Sequence, residues 1–335
     1  MKKDKTYLGI RDIARLAGVS IATVSRVLND PKTTTEKSRK KVMDIVERYN
    51  YVPNIAAKNL YSGHSNSIAL FVYDMTNPFY TQFIKYFNNI AMDNGYTVII
   101  YDAEDSEERE KKFLEFCRGI RVAGIVYTAG STRELIGGGG EAFDFPIVVI
   151  DRKGFGDKAS YSVRANYYKG LSLLVGHIAS LNHKEIGFIT GPISIFSARE
   201  RLNGFIDAMA ERGLSIREEW IYRGNYKISG GLEAYDYFAS LKDQPTAVIA
   251  SNDRLAQGFI LRANECGRRI PEDISICGFD GFLTDFYPPI TTVKQDLKLI
   301  AEAAFSKLIG RDEGMPPEEL VTDVTLQIGK TTRAI

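Results

Sequence analysis

The chain has 335 residues, 44% of them hydrophobic, and its charged side chains nearly balance to a formal net charge of +1. A chain of this length can bury cores for two or three domains. Its three cysteines are scattered without a CxxC pair, and no apolar run reaches transmembrane or signal-peptide length. These features exclude a disulfide-stabilised secreted protein and a membrane protein, and they predict a cytoplasmic protein with reduced thiols.

Residues 9–29, GIRDIARLAGVSIATVSRVLN, predict two short amphipathic helices around a tight break at 18–20. Gly18 suits the left-handed residue that ends a helix. Ser20 carries a hydroxyl that can cap the second helix. Apolar side chains recur at helical spacing in both helices and predict a buried face. This face comprises Ile10, Ile13, Ala14, Ala17, Val24, Val27 and Leu28.

The second helix keeps an outer face of small and hydrogen-bonding side chains. These are Ile21, Ala22, Thr23, Ser25, Arg26 and Asn29. Such a face fits the major groove of DNA, where an arginine reads guanine and small apolar groups contact the thymine methyl. Helical spacing alone leaves one alternative open, a three-helix cap on an enzyme with a solvated basic face.

Charge is distributed unevenly along the chain and favours the DNA-binding interpretation. Residues 1–62 contain 13 Lys/Arg and 6 Asp/Glu, a net charge of +7, whereas the remainder contains 30 and 36, a net charge of −6. Four basic side chains follow Thr35, the predicted N-cap of a third helix. They are Lys37, Arg39, Lys40 and Lys41. Positive charge there opposes the helix dipole, which indicates phosphate contacts at this end of the chain.

Residues 53–66 predict a short helix and a linker after the basic module. Pro53 and the candidate N-cap Asn54 precede a two-turn segment that ends at Tyr61, and a polar, turn-rich stretch follows at 62–66. A helix this short is marginal in water, so it needs DNA or a partner chain to persist.

From residue 67 onward, apolar strand patterns alternate with helical stretches. The predicted strands are 68–73, 96–101, 124–127, 146–150, 186–190, 247–250 and 274–279. Near-continuous Val/Ile runs separated by helices predict parallel sheets covered on both faces. Two units of similar length predict two doubly wound subdomains with a cleft between them. The predicted subdomains are 67–155 and 156–285, with a crossing back near 286–300.

Ligands bind at the carboxyl ends of the strands in sheets of this kind. The candidate ligand contacts are therefore the residues directly after each predicted strand. They are residues 74–79, Asp151, residues 191–197, Asn252 and Asp280.

The chain shows no sign of catalytic machinery in its sequence. Its three histidines are too few and too scattered for a metal site or a Ser-His-Asp triad. The Gly-Lys-Thr at 329–331 is similar to part of a phosphate-binding loop, but Val324 occupies the position of the first glycine. The sequence therefore predicts a protein without enzymatic activity, without a cofactor and without a metal.

Ordered motifs over nearly the whole chain resemble the lactose-repressor (LacI/GalR) family of bacterial transcription regulators. In the basic module they are IRDIARLAGVSIATVSRVLN, SRKKV and NYVPNIAAKNL. In the body they are TNPFY, SLNHKEIGFITGP, RERLNGF, SNDRLAQG, IPEDISICGFD and PPITTVKQD. The resemblance implies an all-α helix-turn-helix domain at 1–52. It also implies an α/β core at 67–335 for effector binding and dimerisation, similar to the periplasmic binding proteins. The Ile21-Ala22 pair most resembles the catabolite-control type of member.

The resemblance also implies which residues bind DNA and which bind a small-molecule effector. The implied DNA contacts are Ser20, Ile21, Ala22, Thr23, Ser25, Arg26, Asn29, Arg39, Asn54, Ala57 and Leu60. Residues 53–66 are implied to form a hinge helix and a linker. Leu60 in this hinge is implied to wedge the minor groove, with packing against the first domain as the alternative. The implied effector contacts are Phe79, Asp151, Arg201, Tyr226, Asn252 and Asp280. A purely structural role is the alternative for each of them; Asp280, for example, can cap a turn, and Arg201 can pair with Glu200 or Asp207.

These expectations describe a homodimeric repressor of carbohydrate-utilisation genes on a pseudo-palindromic operator in double-stranded DNA. Carboxylates, an arginine, an amide and aromatic faces suit a sugar effector, with a nucleobase or a protein co-regulator as alternatives. Gly281 and Leu297 depart from the family pattern, so no particular ligand is implied. A dimer is favoured because no apolar heptads follow Ile328. The rival class is an exported sugar receptor, against which the basic module and the missing signal peptide argue.

Overall fold

The computed structural model describes residues 8–53, 65–102, 106–128, 145–151, 160–310 and 319–335. The chain divides into two compact units, Met1–Ser65 and Asn66–Ile335. Most of the predicted hinge, with Asn54, Ala57 and Leu60, lies outside the described residues, so the hinge helix stays a prediction.

The described part of the first unit contains three helices around a small apolar core. They are α1 (Ile10–Ala17), α2 (Ile21–Asn29) and α3 (Glu36–Arg48), with a 3₁₀ turn at Pro31–Thr33. The core consists of Ile13, Ala14, Ala17, Val24, Val27 and Val42. Ile10 and Leu28 pack at its margin, so the buried face predicted from helical spacing is confirmed.

Local chemistry sets the ends of these helices. Gly18 adopts the left-handed conformation, with φ of 64°, and ends α1 as predicted. Ser20 caps α2, because its Oγ accepts a hydrogen bond from the amide of Thr23 at 3.1 Å. Thr35 caps α3 in the same way by accepting from the amide of Ser38 at 3.3 Å. The tight break between α1 and α2 that defines a helix-turn-helix is therefore built by the predicted residues.

The second unit consists of two lobes, each a sheet with helices on both faces. The strands are β1 (Ser67–Val72), β2 (Thr97–Asp102), β3 (Gly124–Tyr127), β4 (Ile147–Ile150), β5 (Ser160–Ala165), β6 (Ile186–Thr190), β7 (Ile221–Arg223), β8 (Ala247–Ala250), β9 (Ser275–Asp280), β10 (Thr291–Gln295), β11 (Glu319–Thr322) and β12 (Val324–Gln327). The helices are α4 (Pro78–Asp93), α5 (Glu107–Ile120), α6 (Tyr167–Ser180), α7 (Phe196–Glu211), α8 (Ile228–Ser240), α9 (Asp253–Glu265) and α10 (Leu297–Ile309).

Lobe 1 contains the sheet β11-β5-β4-β3-β1-β2, in which the described pairs are parallel. Lobe 2 contains the sheet β12-β10-β9-β8-β6-β7, parallel except for the β10–β12 pair. Helices α4 and α10 cover one face of the first sheet and α5 the other. Helices α6 and α7 cover one face of the second sheet, and α8 and α9 the other. The predicted doubly wound α/β core is confirmed.

The predicted lobe boundary at 155/156 differs from the sheet pairing. Strand β5 pairs with β4 in lobe 1, so the chain enters lobe 2 only after Ala165. Its sequence, SYSVRA, lacks the Val/Ile run that marked the predicted strands. Its charged residue is paired within the sheet, since Arg164 Nε lies 2.5 Å from Glu319 Oε1 of β11. The chain returns to lobe 1 between β10 and α10, within the predicted range 286–300, and crosses again between β11 and β12.

Candidate effector cleft and DNA-binding surface

The outer face of α2 is open to solvent. Ile21, Ala22, Arg26 and Asn29 are not buried, and Ile21 is 45% exposed although its side chain is large and apolar. Neighbouring polar groups order the same face: Asn29 Nδ2 donates to Ser25 Oγ at 3.3 Å. The face therefore offers an apolar contact, a guanidinium and ordered amide and hydroxyl groups.

Arg39 is less exposed than Arg26 and Asn29 on the outer face of α2. It is half-buried near the start of α3, where Nη2 lies 3.5 Å from the carbonyl of Thr34. Its Nε is buried without a hydrogen-bond partner. The guanidinium is held against the turn before α3, and a DNA contact by Arg39 stays a prediction.

A cleft of about 510 Å³ lies between the lobes of the second unit. The structure brings all six predicted effector residues to its walls. They are Phe79, Asp151, Arg201, Tyr226, Asn252 and Asp280. The other lining residues are Tyr73, Asn77, Tyr80, Thr128, Ile195, Phe196 and Ser197. Most of the lining follows the carboxyl ends of strands, as the rule for parallel sheets requires.

Arg201, on α7, organises the charged part of the cleft. It is 3% exposed, and its Nη1 lies 3.0 Å from Asp280 Oδ1. Its Nη2 lies 3.9 Å from Asp151 Oδ1, so one guanidinium faces a carboxylate from each lobe. Nη1 also donates to the carbonyl of Ser251 at 2.5 Å, and the guanidinium lies 4.2 Å over the ring of Phe279. The alternative that Arg201 pairs only with near neighbours on its own helix is wrong.

Burial controls the protonation of this cluster. Desolvation raises the pKa of Asp280 to about 7, against the opposing charge of Arg201. Desolvation also raises the pKa of Asp151, while Arg201 and the hydroxyl of Tyr167 lower it. Desolvation lowers the pKa of Arg201, but Asp280 and its other anionic neighbours outweigh it, so the guanidinium stays charged. Asp280 therefore exchanges a proton near neutral pH, and its carboxyl group is able to donate or accept.

Three of the six residues have a left-handed backbone: φ is 60° at Asp151, 62° at Tyr226 and 110° at Asp280. Such strain costs about 1–3 kcal/mol per residue and concentrates at ligand sites. Gly191 helps to seat Tyr226, because a Cβ at position 191 would lie 2.3 Å from the tyrosine ring. Burial raises the pKa of Tyr226 to about 12, so its hydroxyl remains a donor at neutral pH.

Asn252 lines the cleft and also stabilises the start of α9. It is the N-cap of α9, and its Oδ1 accepts from the amide of Leu255 at 2.9 Å. Its Nδ2 donates to the carbonyl of Tyr226 at 3.1 Å. One amide hydrogen and one lone pair are left over for a ligand.

Several side-chain contacts join the two lobes. Arg254 Nη1 of lobe 2 lies 2.8 Å from Asp74 Oδ2 of lobe 1. The rings of Phe79 and Phe282 meet edge to face across the lobes, with centroids 6.3 Å apart. The hydroxyl of Tyr167 donates to Asp151. The cleft is thus lined by residues of both lobes.

Sequence reasoning missed several residues of this site. Thr128 follows the predicted strand 124–127, so the carboxyl-end rule could have found it. Gln295 donates from Nε2 to Asp280 Oδ1 at 2.9 Å, but its strand β10 was not predicted. Tyr73 and Tyr80 flank the predicted segment 74–79, and no sequence signal separates them from core residues.

Within the described ranges, no group of three His, Cys, Asp or Glu side chains is arranged to hold a metal ion. In the same part of the chain, the helices are too short or too polar to cross a membrane.

Two family models match the two units of the chain. The model described as bacterial regulatory proteins, lacI family, matches residues 9–54. The model of the periplasmic binding protein-like domain matches residues 175–332.

Curated relatives and solved structures match over almost the full length. The HTH-type transcriptional repressor PurR of Vibrio vulnificus is 32% identical over 331 residues, which cover 95% of this chain and 99% of the relative. PurR of Photobacterium profundum is 30% identical over 324 residues, covering 95% and 96%. The lac repressor dimer bound to operator and the anti-inducer ONPF shares 27% identity with a TM-score of 0.85, covering 98% and 99%. The lac repressor bound to ONPG in the repressed state shares 26% identity with a TM-score of 0.84, covering 97% and 99%.

A helix-turn-helix domain followed by a periplasmic-binding-protein-like core defines a class of DNA-binding transcription regulators. Two PurR repressors share 30% and 32% of their residues with this chain over 95% of its length. The chain belongs to the LacI family of bacterial regulatory proteins.

Proposed function

We propose that this chain is a homodimeric repressor of carbohydrate-utilisation genes, controlled by a sugar that binds in the cleft. The observation that carries the proposal is the position of Arg201 between Asp151 and Asp280, on the wall of a cleft that also presents aromatic rings. The lac repressor dimer bound to operator supports the dimer and the DNA partner, since it shares the fold at 27% identity.

A sugar matches the alternation of donors and acceptors in the cleft. Adjacent hydroxyl groups of a sugar each donate one hydrogen bond and accept another. Asp151 and Asp280 accept hydrogen bonds from the hydroxyl groups. The remaining amide hydrogen and lone pair of Asn252 can donate one hydrogen bond and accept another. Tyr226 and Phe79 supply flat apolar faces that cover the carbon skeleton of a sugar ring. The side chains of Asp151 and Asp280 are only 13% and 9% exposed, so a ligand that enters the cleft removes little further water from them.

The proposed mechanism couples this cleft to DNA. Two copies of α2 read the major groove at the half-sites of a pseudo-palindrome, and the hinge 53–66 places Leu60 in the minor groove between them. Effector binding changes the contacts between the lobes, among them the Arg254–Asp74 pair, and so changes the spacing of the two hinges. A coupling of about 1–3 kcal/mol between the two sites is typical of such switches.

A nucleobase is the second candidate effector, favoured by the several flat rings that line the cleft, Phe79, Tyr80, Phe196 and Tyr226. A thermal-shift screen separates the candidates, because a ligand of the folded state raises its melting temperature. The probes are glucose, galactose and ribose, their phosphates, and adenine and guanine. At a hundredfold excess over Kd, a binding sugar stabilises the fold by about 2.7 kcal/mol. A response to the nucleobases alone would contradict the sugar proposal.

Arg26→Ala is expected to relax the choice of operator sequence, because an arginine on the outer face of α2 reads base edges. The loss is about 1–3 kcal/mol at the base pair it contacts. The measurement is competitive binding to operators with single base changes. Arg15→Ala, which also removes one exposed positive charge, is the matched control and should weaken all sequences alike. Unchanged discrimination in Arg26→Ala would remove the base-reading role.

A further inference from the structure

The carboxylate of Asp253 is buried behind the cleft, and the proposed effector contacts do not include it. Asp253 begins α9 and is 4% exposed. Its Oδ1 accepts from Thr292 Oγ1 at 2.6 Å. Its Oδ2 accepts from the amides of Gly281 at 2.8 Å and Phe282 at 3.2 Å. A buried carboxylate is costly unless it is fully hydrogen-bonded, and here three donors satisfy it.

The two amides belong to the turn that carries Asp280. The backbone is left-handed at two successive residues, with φ of 110° at Asp280 and 78° at Gly281. A non-glycine residue holds such a conformation only when its surroundings fix it. The Asp280 carboxylate at the start of this turn contacts Arg201 at 3.0 Å and Gln295 at 2.9 Å. The direction of that carboxylate therefore depends on how the turn is held.

The strand beside Asp253 is shaped to admit its carboxylate. Gly278 lies in β9, and a Cβ there would come within 2.2 Å of Asp253 Oδ1. Thr292 on the neighbouring strand β10 supplies the hydroxyl that fixes the same oxygen. Two strands and one helix thus converge on one carboxylate next to the cleft.

Asp253 and Asp280 also interact electrostatically, in addition to their link through the turn. Desolvation raises the pKa of Asp280, Arg201 opposes it, and the nearby charge of Asp253 adds to the rise. Desolvation raises the pKa of Asp253 itself to about 6, against its hydrogen bonds with Thr292 and the two amides. Asp253 therefore acts on the cleft through Asp280 in both its position and its charge.

We propose that Asp253 is a positioning residue of the effector site: by holding the amides of Gly281 and Phe282, it fixes the direction in which Asp280 presents its carboxylate to the effector. The inference rests on the proposed effector role of Asp280. Its primary test needs no effector, so its outcome is independent of whether a sugar binds.

The test uses the full-length protein with ¹³C-labelled aspartate and ¹⁵N-labelled amides. In Asp253→Asn, the carboxyl resonance of Asp280 is expected to move, and the amides of Gly281 and Phe282 to exchange about tenfold faster with solvent. The Asp280 resonance is assigned by its loss in Asp280→Asn. Asp296, which caps α10 by accepting from the amide of Leu299, is the internal control, and its resonance should stay in place.

Two variants of Thr292 keep the test decisive if Asp253→Asn does not fold. Thr292→Val removes the hydroxyl donor. It should shift the Asp280 resonance and speed amide exchange at residues 281 and 282. Thr292→Ser keeps the donor, so its Asp280 resonance and its exchange rates should match those of wild type. A stability loss in Asp253→Asn or Thr292→Val without change at Asp280 and the two amides would overturn the proposal. With the sugar probes, a response in wild type that Asp253→Asn lacks supports the proposal. If wild type itself gives no sugar response, the proposed function fails and the exchange experiment still decides the role of Asp253.

Discussion

Replacing Gly258 by alanine is expected to destabilise the second unit by about 3 kcal/mol, the upper part of the usual range for overpacking. A Cβ at Gly258 would lie 2.0 Å from the carbonyl oxygen of Ile228 and 3.0 Å from the Cα of Gly231. Both neighbours are backbone atoms of α8, so neither can rotate out of the way. Accommodation requires the whole of α9 to move away from α8, which opens the apolar cluster between these helices and the sheet. Urea unfolding, followed by circular dichroism, measures the loss.

Gly119→Ala is the matched control for this prediction. Gly119 lies in α5, where a Cβ would meet nothing within 4 Å. Alanine there is expected to stabilise the protein by about 0.5–1 kcal/mol, because it reduces the freedom of the unfolded chain and favours the helix. Glycine-to-alanine substitution is therefore expected to destabilise the protein at position 258 and to stabilise it at position 119. An unfolding midpoint of Gly258→Ala equal to that of wild type would mean that α8 and α9 are not packed backbone to backbone.

The parts of the fold that sequence could predict are those where one kind of residue dominates an element. The strands at 124–127, 186–190 and 247–250 are mainly apolar runs, and their predicted bounds agree with β3, β6 and β8. Strands β5 and β10 were missed because each mixes polar with apolar residues. Two of their polar side chains have tertiary partners, Glu319 for Arg164 and Asp280 for Gln295. A single sequence does not reveal such partners.

The cleft shows the same limit. Following each predicted strand to its carboxyl end located most of the lining, because topology fixes where those ends meet. The partner of Arg201 was not predictable in this way, since Asp280 lies 79 residues farther along the chain and is joined to it only by the fold. The strain at Asp151, Tyr226 and Asp280 had no sequence signal either, because aspartate and tyrosine adopt positive φ in only a small minority of their occurrences. Asp253 was overlooked because its role depends on contacts with β9 and β10.

Arg201→Met is expected to lower the free energy of unfolding by about 3–5 kcal/mol at neutral pH, because it leaves two buried carboxylates without their counter-charge. Methionine keeps an unbranched apolar chain in place of the arginine stem, so the loss reports mainly the missing guanidinium, including its contact with the ring of Phe279, rather than a large cavity. In the variant that folds, the sugar response should disappear while operator binding persists, since Arg201 lies in the cleft and not in the DNA-binding unit.

The loss of stability in Arg201→Met is expected to grow as the pH rises. This pH dependence distinguishes a missing charge from a packing defect. The pKa of Asp280 is raised to about 7 in the folded protein, so the folded state binds the proton more tightly than the unfolded chain. Between the unfolded pKa and the folded pKa, stability therefore falls as pH rises. Without Arg201, the folded pKa values of Asp280 and Asp151 rise further, and the fall extends to higher pH. Urea unfolding at pH 5, 7 and 8 should show the smallest difference from wild type at pH 5, where the folded variant keeps its carboxyl groups protonated.

Arg262→Met provides the comparison that makes the pH dependence specific. Arg262 also contacts two carboxylates, Asp236 and Glu265, at 2.8 and 3.0 Å, but its side chain is 38% exposed. Water replaces the lost partner at such a site, so the variant should stay close to wild type at all three pH values. If Arg201→Met were destabilised equally at pH 5 and pH 8, the role of Arg201 would be packing alone, and the result would contradict the proposed role of its charge in recognising a polyhydroxylated effector.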